Sequence, residues 1–227
     1  MKEEEREVKG KMVVEIWSDV VCPFCYIGKK EFETALAKFP YKDSVEVVWR
    51  SFELDPRAPQ RSDLDMYGML VEKYGGTRES AKARVADVVQ RGLTVGIHYN
   101  MEKAIIANSF DAHRLIQLAK TKGLGDVAEE RLFKAYFIDG LHIADHATLE
   151  QLGKEIGLAG KVVEKMLASE DFAHEVRADE RAAHLHGVRG VPYFLIDGKV
   201  PVSGAQPSET FLRALDQAWM DRKVQER

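Results

Sequence analysis

The chain of 227 residues contains two cysteines, Cys22 and Cys25, in the run Cys22-Pro-Phe-Cys25. Two cysteines at this spacing point to redox chemistry or to half of a metal site; a disulfide scaffold would need more of them. Pro23 suits the first turn of a helix, where its missing N–H is no loss. Cys22, just before it, then faces the unpaired N–H groups and the positive end of the helix dipole, which favour thiolate over thiol. The thiolate is the nucleophile, so Cys22 is expected to be the reactive sulfur. Cys25, one turn on, is placed to attack a mixed disulfide and release the product. Phe24 adds apolar surface without charge or a proton donor. A zinc site would need two further ligands, and the candidate pair His142 and His146 lies far downstream, beyond any finger-like spacing. No metal is expected.

The elements around this pair read clearly. Met12 to Trp17 is rich in β-branched and aromatic residues and predicts a strand. Ile27, Phe32, Leu36 and Phe39 recur at helical spacing behind Pro23, and Val45 to Phe52 predicts a second strand. Leu54 to Arg61, with Pro56 and Pro59, reads as a linker. Seven helices are then expected, near 63–74, 78–94, 108–122, 125–138, 147–156, 161–168 and 171–186. Tyr193–Asp197 and Lys199–Ser203 flank Gly198 as a hairpin, with Pro201 favouring an edge strand. A final amphipathic helix is expected from Ser208 to Trp219. The order is β-α-β, a long helical block, then α-β-β-α. This predicts an α/β domain carrying an all-helical insertion.

Composition narrows the partners. Hydrophobic residues make up 45% and charged residues 31%, and 33 basic against 37 acidic side chains leave a net charge of −4. No basic excess suggests nucleic acid, and no apolar run near the start is long enough to span a bilayer or resemble a secretory signal. The segment 1–11 is expected to be flexible and the chain cytoplasmic.

Glu15-Ile-Trp-Ser-Asp-Val-Val-Cys-Pro-Phe-Cys-Tyr-Ile-Gly28 resembles the active-site segment of DsbA-like thioredoxin-fold thiol–disulfide oxidoreductases, in their FrnE-like branch. Asn108-Ser-Phe-Asp-Ala-His-Arg114, Ala135-Tyr-Phe137, and Gly187-Val-Arg-Gly-Val-Pro-Tyr-Phe194 running on to Ser203-Gly-Ala-Gln206 resemble the same branch. The resemblance covers about residues 12 to 220. It implies a thioredoxin-like domain, residues 12–61 plus 175–222, with an inserted helical domain over 62–174. It also implies that the Val191–Pro192 bond is cis and lies against Cys22, so that Val191 and Pro192 bind substrate through the Val191 main chain.

The expected function is thiol–disulfide exchange, Cys22 forming the mixed disulfide and Cys25 resolving it, with no dissociable cofactor. Protein or small-molecule thiols and disulfides, glutathione among them, are the expected partners. Two other readings stand beside it. One is a glutathione-dependent transferase or isomerase of the same fold group, against which the intact cysteine pair counts. The other is a non-catalytic binding or chaperone module using the helical groove. Several side chains have two readings. Asp19 and Glu15 either accept the proton of the resolving thiol or serve structure, Glu15 being expected to point inward beside Val13 and Trp17. His113 either lines an interdomain groove or is a core histidine. Met66 and Met69, with Tyr67, Leu70 and Tyr74, form either helical core or an apolar substrate wall.

Overall fold

Strand β1, Met12–Ser18, is the centre of a four-stranded sheet ordered β2-β1-β3-β4 in the computed structural model, which describes residues 10–225. The N-terminal segment expected to be flexible lies mostly outside the described residues. Val14, Ile16, Trp17 and Ser18 are all buried, as a central strand covered on both faces requires. β2, Val45–Ser51, runs parallel to β1 with Met12 opposite Val45. Parallel neighbours need a crossover, here helix α1, Pro23–Lys38. β3, Tyr193–Ile196, and β4, Val200–Ser203, are antiparallel neighbours on the other side. Asp197 and Gly198, in the three-residue connection between them, both have positive φ (51° and 68°), as the central residues of a turn closed by the Lys199 N–H on the Ile196 carbonyl. Pro201 sits on the edge strand, where a missing donor costs least.

All seven expected helices of the intervening block are present. They are α2 (Met66–Tyr74), α3 (Arg78–Leu93), α4 (Phe110–Lys120), α5 (Gly125–Lys134), α6 (His146–Glu155), α7 (Gly160–Leu167) and α8 (Ala173–Leu185). Asp65, Thr77 and Asp145 cap α2, α3 and α6 by accepting main-chain N–H bonds. The helix expected over 125–138 instead changes to a π turn at Ala135–Asp139. The wider turn lets consecutive aromatics, Tyr136 and Phe137, both point inward, their rings 4.8 Å apart and edge to face. The last helix, α9, runs Ser208–Gln225, past Trp219, because no breaker follows that residue.

Three apolar clusters result among the described residues. Phe32 and Phe39 of α1 meet Phe194 of β3 and Phe211, Leu215 and Trp219 of α9 on one side of the sheet. Beyond the sheet, at the N-terminal end of α1, Cys22, Cys25, Tyr26 and Ile27 share a core with α2 to α7, while Trp17 and Leu195 pack against Ala183 of α8 and Val188. The helical block is therefore continuous with the cysteine-bearing end of α1. Helix α8 joins both parts: its Asp179 accepts hydrogen bonds from Arg50 Nη1 (2.9 Å), Ser51 N (3.0 Å) and Gln117 Nε2 (2.6 Å). The Asp179 main-chain carbonyl also takes the Trp17 indole N–H at 2.9 Å.

Candidate active site

Cys22 is the N-cap of α1 with extended backbone (φ −97°, ψ 112°), and Pro23 opens the first turn. Unlike the Asp and Thr caps elsewhere, its side chain caps nothing within the helix. Its main-chain N–H is used by Asp19 O at 2.9 Å, and its carbonyl accepts from Cys25 N at 3.0 Å. The sulfur thus sits on a tightly held turn and is not spent on the helix cap. Both cysteines are free thiols and buried, Cys22 at 4% exposure and Cys25 at 1%.

The two thiols differ in surroundings. Burial pushes the Cys25 thiol well above its ordinary value, and neighbouring Cys22 adds to this, while the Asp19 N–H and the Ser18 hydroxyl pull the other way. Cys25 therefore holds its proton at neutral pH. Cys22 Sγ instead lies 3.7 Å from the Val191 carbonyl, to which the thiol donates. The Val191–Pro192 peptide is cis. The loop is pressed onto α1: a Cβ on Gly28 would stand 2.9 Å from Pro192 Cγ. Glycine at 28 is what allows helix and loop this approach.

A groove with a volume of about 920 Å³ opens at Cys22 between α1 and helices α2 and α3. Val21, Met66, Met69, Leu70 and Val88 form its apolar wall, and Arg84, Arg91 and Lys73 lie at its margins. Phe24 is 38% exposed at its mouth, with the Arg91 guanidinium 5.6 Å from the ring centre. Met66, Met69, Leu70 and Tyr74 line this groove, and Met66 also belongs to the core. A smaller depression of about 470 Å³ lies around the Val191–Pro192 loop, walled by Gly187, Arg189, Gly190 and Tyr193.

Beneath the cysteines lies a buried polar cluster. Asp19, fully buried, accepts from Leu54 N at 2.7 Å and Val21 N at 3.3 Å, and its Oδ1 lies 3.3 Å from His113 Nε2. Burial disfavours the imidazolium, but Asp19, with Glu129 and Glu53 behind it, outweighs burial and raises His113 above its ordinary range. His113 is accordingly beneath the cysteine turn and does not line the groove. Glu129 of α5 is pushed up to about 7 by burial, which His113 and Lys29 only partly offset. Glu53 accepts from Asn108 Nδ2 at 3.3 Å and pairs with Arg177 at 2.5 Å.

Glu15 takes no place here. It is half-buried on the sheet face toward α8 and bound to Arg50 (2.7 Å to Nη2), so the inward orientation expected from strand alternation ends in an ion pair. Ser18 and Glu129 were not legible as site residues. The only sequence signal for Glu129 is an acid on the core face of an amphipathic helix, in register with Leu132 and Phe133. Among the described residues no group of three or more His, Cys, Asp or Glu is arranged to hold a metal ion, and no helix is long and apolar enough to cross a membrane.

Residues 13–216 match the DSBA-like thioredoxin domain family. The chain is similar to the crystal structure of a probable DsbA oxidoreductase from Streptomyces coelicolor, at 42% identity and a TM-score of 0.88, covering 92% of this chain and 90% of that one. The uncharacterized protein YwbO of Bacillus subtilis is 28% identical over 89% of this chain and 94% of its own length. The cytosolic disulfide reductase DsbM of Pseudomonas aeruginosa, 17% identical, shares the fold with a TM-score of 0.60 over 95% of this chain and 100% of that one. DsbM is also known in a structure with glutathione.

Proposed function

The chain belongs to the DSBA-like thioredoxin domain family, and we propose that it works there as a thiol–disulfide oxidoreductase of the FrnE-like type through Cys22 and Cys25. The observation that carries this reading is the asymmetry of the pair. Cys22 is the N-cap residue of α1 and lines the groove, whereas Cys25 lies outside that lining and keeps its proton. Cys22 attacks a substrate disulfide and forms the mixed disulfide; the leaving thiolate takes a proton from solvent. Cys25 then loses its proton and attacks Cys22 Sγ, which forms the Cys22–Cys25 bond and expels the second substrate sulfur as thiolate. Run backwards, the oxidised pair oxidises a dithiol. No dissociable cofactor enters this cycle.

Substrate selection follows from the groove at Cys22 and the depression at the Val191–Pro192 loop. An extended peptide lying on the apolar wall brings its cysteine to Cys22 and pairs with the Val191 carbonyl, which is released when the Cys22 thiol becomes part of a mixed disulfide. Glutathione, bound by a protein of the same fold, fits as the small thiol that returns the pair to its starting state in the cytoplasm. The test is trapping. Cys25→Ser should accumulate a mixed disulfide on Cys22 when given a disulfide-bonded peptide or oxidised glutathione, read by mass spectrometry. Cys22→Ser should trap nothing. No exchange by the native protein, together with undiminished suppression of client aggregation by Cys22→Ala, would return the protein to the binding-module reading.

A further inference from the structure

The peptide joining Pro23 to Phe24 lies between the two cysteines, and a side chain of the helical block holds it. Tyr99, in the loop between α3 and α4, donates its hydroxyl hydrogen to the Pro23 carbonyl at 2.6 Å. The bond spans 76 residues of chain and ties the inserted helices to the turn that carries the redox pair. Tyr99 is buried, its ring edge-on to Phe137 at 5.2 Å and to Tyr26 at 6.1 Å. The next residue fixes the main chain, Asn100 N donating to Phe137 O at 2.7 Å. Gly92 of α3 leaves the ring its room, since a Cβ there would stand 2.5 Å from Tyr99 Cε2. The phenol is thus seated from several sides, with its hydroxyl on one carbonyl.

The ionisable groups facing that hydroxyl are Cys22, Tyr26 and Cys25, and burial together with them raises Tyr99 above its ordinary range. Tyr99 therefore keeps its hydrogen and remains a donor. Tyr26 turns its own hydroxyl to Glu130 at 2.9 Å, and Asp19, with His113 behind it, accepts from Leu54 N and Val21 N. The consequence of the donation lies at the other end of the Pro23–Phe24 amide. An N-cap side chain accepts from the first N–H groups of its helix. Pro23 has no N–H, and Cys25 N is spent on the Cys22 carbonyl at 3.0 Å, which leaves the Phe24 N–H as the donor for the Cys22 sulfur. A hydrogen bond accepted at the carbonyl polarises an amide and strengthens its N–H as a donor. The neutral Cys22 thiol gives its hydrogen to the Val191 carbonyl; the thiolate has none to give and needs donors instead.

We propose that Tyr99 is a positioning residue for disulfide exchange, which favours the Cys22 thiolate by way of the Pro23–Phe24 amide. The proposal rests on the disulfide-exchange reading. Tyr99 acts on the sulfur through the peptide, by holding its carbonyl and strengthening its N–H. A more stable thiolate means a more stable reduced pair, and a more stable reduced pair is a stronger oxidant. The effect is confined to the ionised state, because a neutral thiol is a weak acceptor and gains little from the N–H. Part of the redox poise of Cys22 and Cys25 is thereby set by a side chain of the helical insertion.

Tyr99→Phe removes the hydroxyl and keeps the ring. Alkylation of the reduced protein by iodoacetamide, followed across pH, reads the ionisation of Cys22. In Tyr99→Phe its midpoint should rise by about half a pH unit, an about threefold loss of thiolate below the midpoint. Equilibration against graded glutathione buffers gives the second readout. Above the midpoint the constant for oxidation of the pair by glutathione disulfide should rise about threefold, and below it the variant should match the native protein. Gly92→Ala keeps the hydroxyl but drives the ring from its seat, and should move both readouts the same way. If either variant fails to fold by circular dichroism, the other decides. Profiles superimposable on the native ones overturn the role of Tyr99 alone, as does a change of equal size above and below the midpoint, which would mark a purely structural effect. Absence of a reversible couple with glutathione in the native protein overturns the disulfide-exchange reading and this proposal with it.

Discussion

Gly28→Ala probes the contact on which the site's geometry depends. The new methyl would lie 2.9 Å from Pro192 Cγ and 3.5 Å from both Pro192 Cβ and Phe194 Cζ. Ordinary contact begins at 3.4 Å, so the Pro192 ring has to retreat by at least 0.5 Å. A proline ring can give only by repuckering at Cγ or by carrying its backbone along. The expectation is the second, which shifts the Val191 carbonyl and opens its 3.7 Å contact with Cys22 Sγ. On stability two effects oppose. Alanine within a helix gains about 1 kcal/mol over glycine, whereas overpacking a close interface costs about 1–3 kcal/mol. The net expectation is a loss of about 0–2 kcal/mol in urea unfolding. On function, exchange with a disulfide-bonded peptide, which uses the Val191 carbonyl, should slow more than reaction of Cys22 with a small aromatic disulfide, which does not. A variant about 1 kcal/mol more stable than the native chain, with both rates unchanged, would show that α1 and the loop are not in firm contact, and the argument from Gly28 would be wrong.

Two further outcomes concern the polar ties beneath the sheet and site. Glu129 has a folded-state pKa of about 7 against an ordinary 4.5, so what it contributes is fully present below about pH 4.5 and is lost as pH rises through about 7. Glu129→Gln should thus unfold at higher urea than the native chain at pH 8, by on the order of 3 kcal/mol, with the gap closing near pH 5; a gap independent of pH would refute the assignment. Asp179→Ala removes the shared acceptor of Arg50, Ser51 and Gln117. It should cost about 1–3 kcal/mol in urea unfolding, since it leaves the buried Ser51 N–H and Gln117 amide without their acceptor while Arg50 keeps Glu15, and Asp179→Asn should cost less; equal values for the two would refute a role for the charge.

Much of this architecture is local in origin. Cys22-Pro23 marks the start of α1, Asp197-Gly198 marks the hairpin turn, and the seven helices of the block appear within a few residues of where periodicity and punctuation put them. Each of those features depends on neighbours within a turn or two of chain, which a single sequence displays. The different positions of Cys22 and Cys25 on the helix start are local in the same sense, whereas the burial that raises the Cys25 thiol comes from the docked helical block. The nearness of Val191–Pro192 to Cys22 was available only through resemblance, being separated by 169 residues.

Tertiary packing decided the rest. Glu15 and Asp19 look alike on the sequence as carboxylates just before the cysteine pair. Arg50, 35 residues on, claims Glu15 at the sheet face, while His113, 94 residues on, meets Asp19 beneath the site. Glu129 joins them because α5 packs against the start of α1, and nothing in its own neighbourhood announces that contact. Burial removes water as a competing partner, so the charge of each group is set by whichever distant side chain shares its cavity. Spacing in sequence could therefore name the sulfurs, and only the docking of the helical block on β1 and α1 could choose the acid and the imidazole that stand behind them.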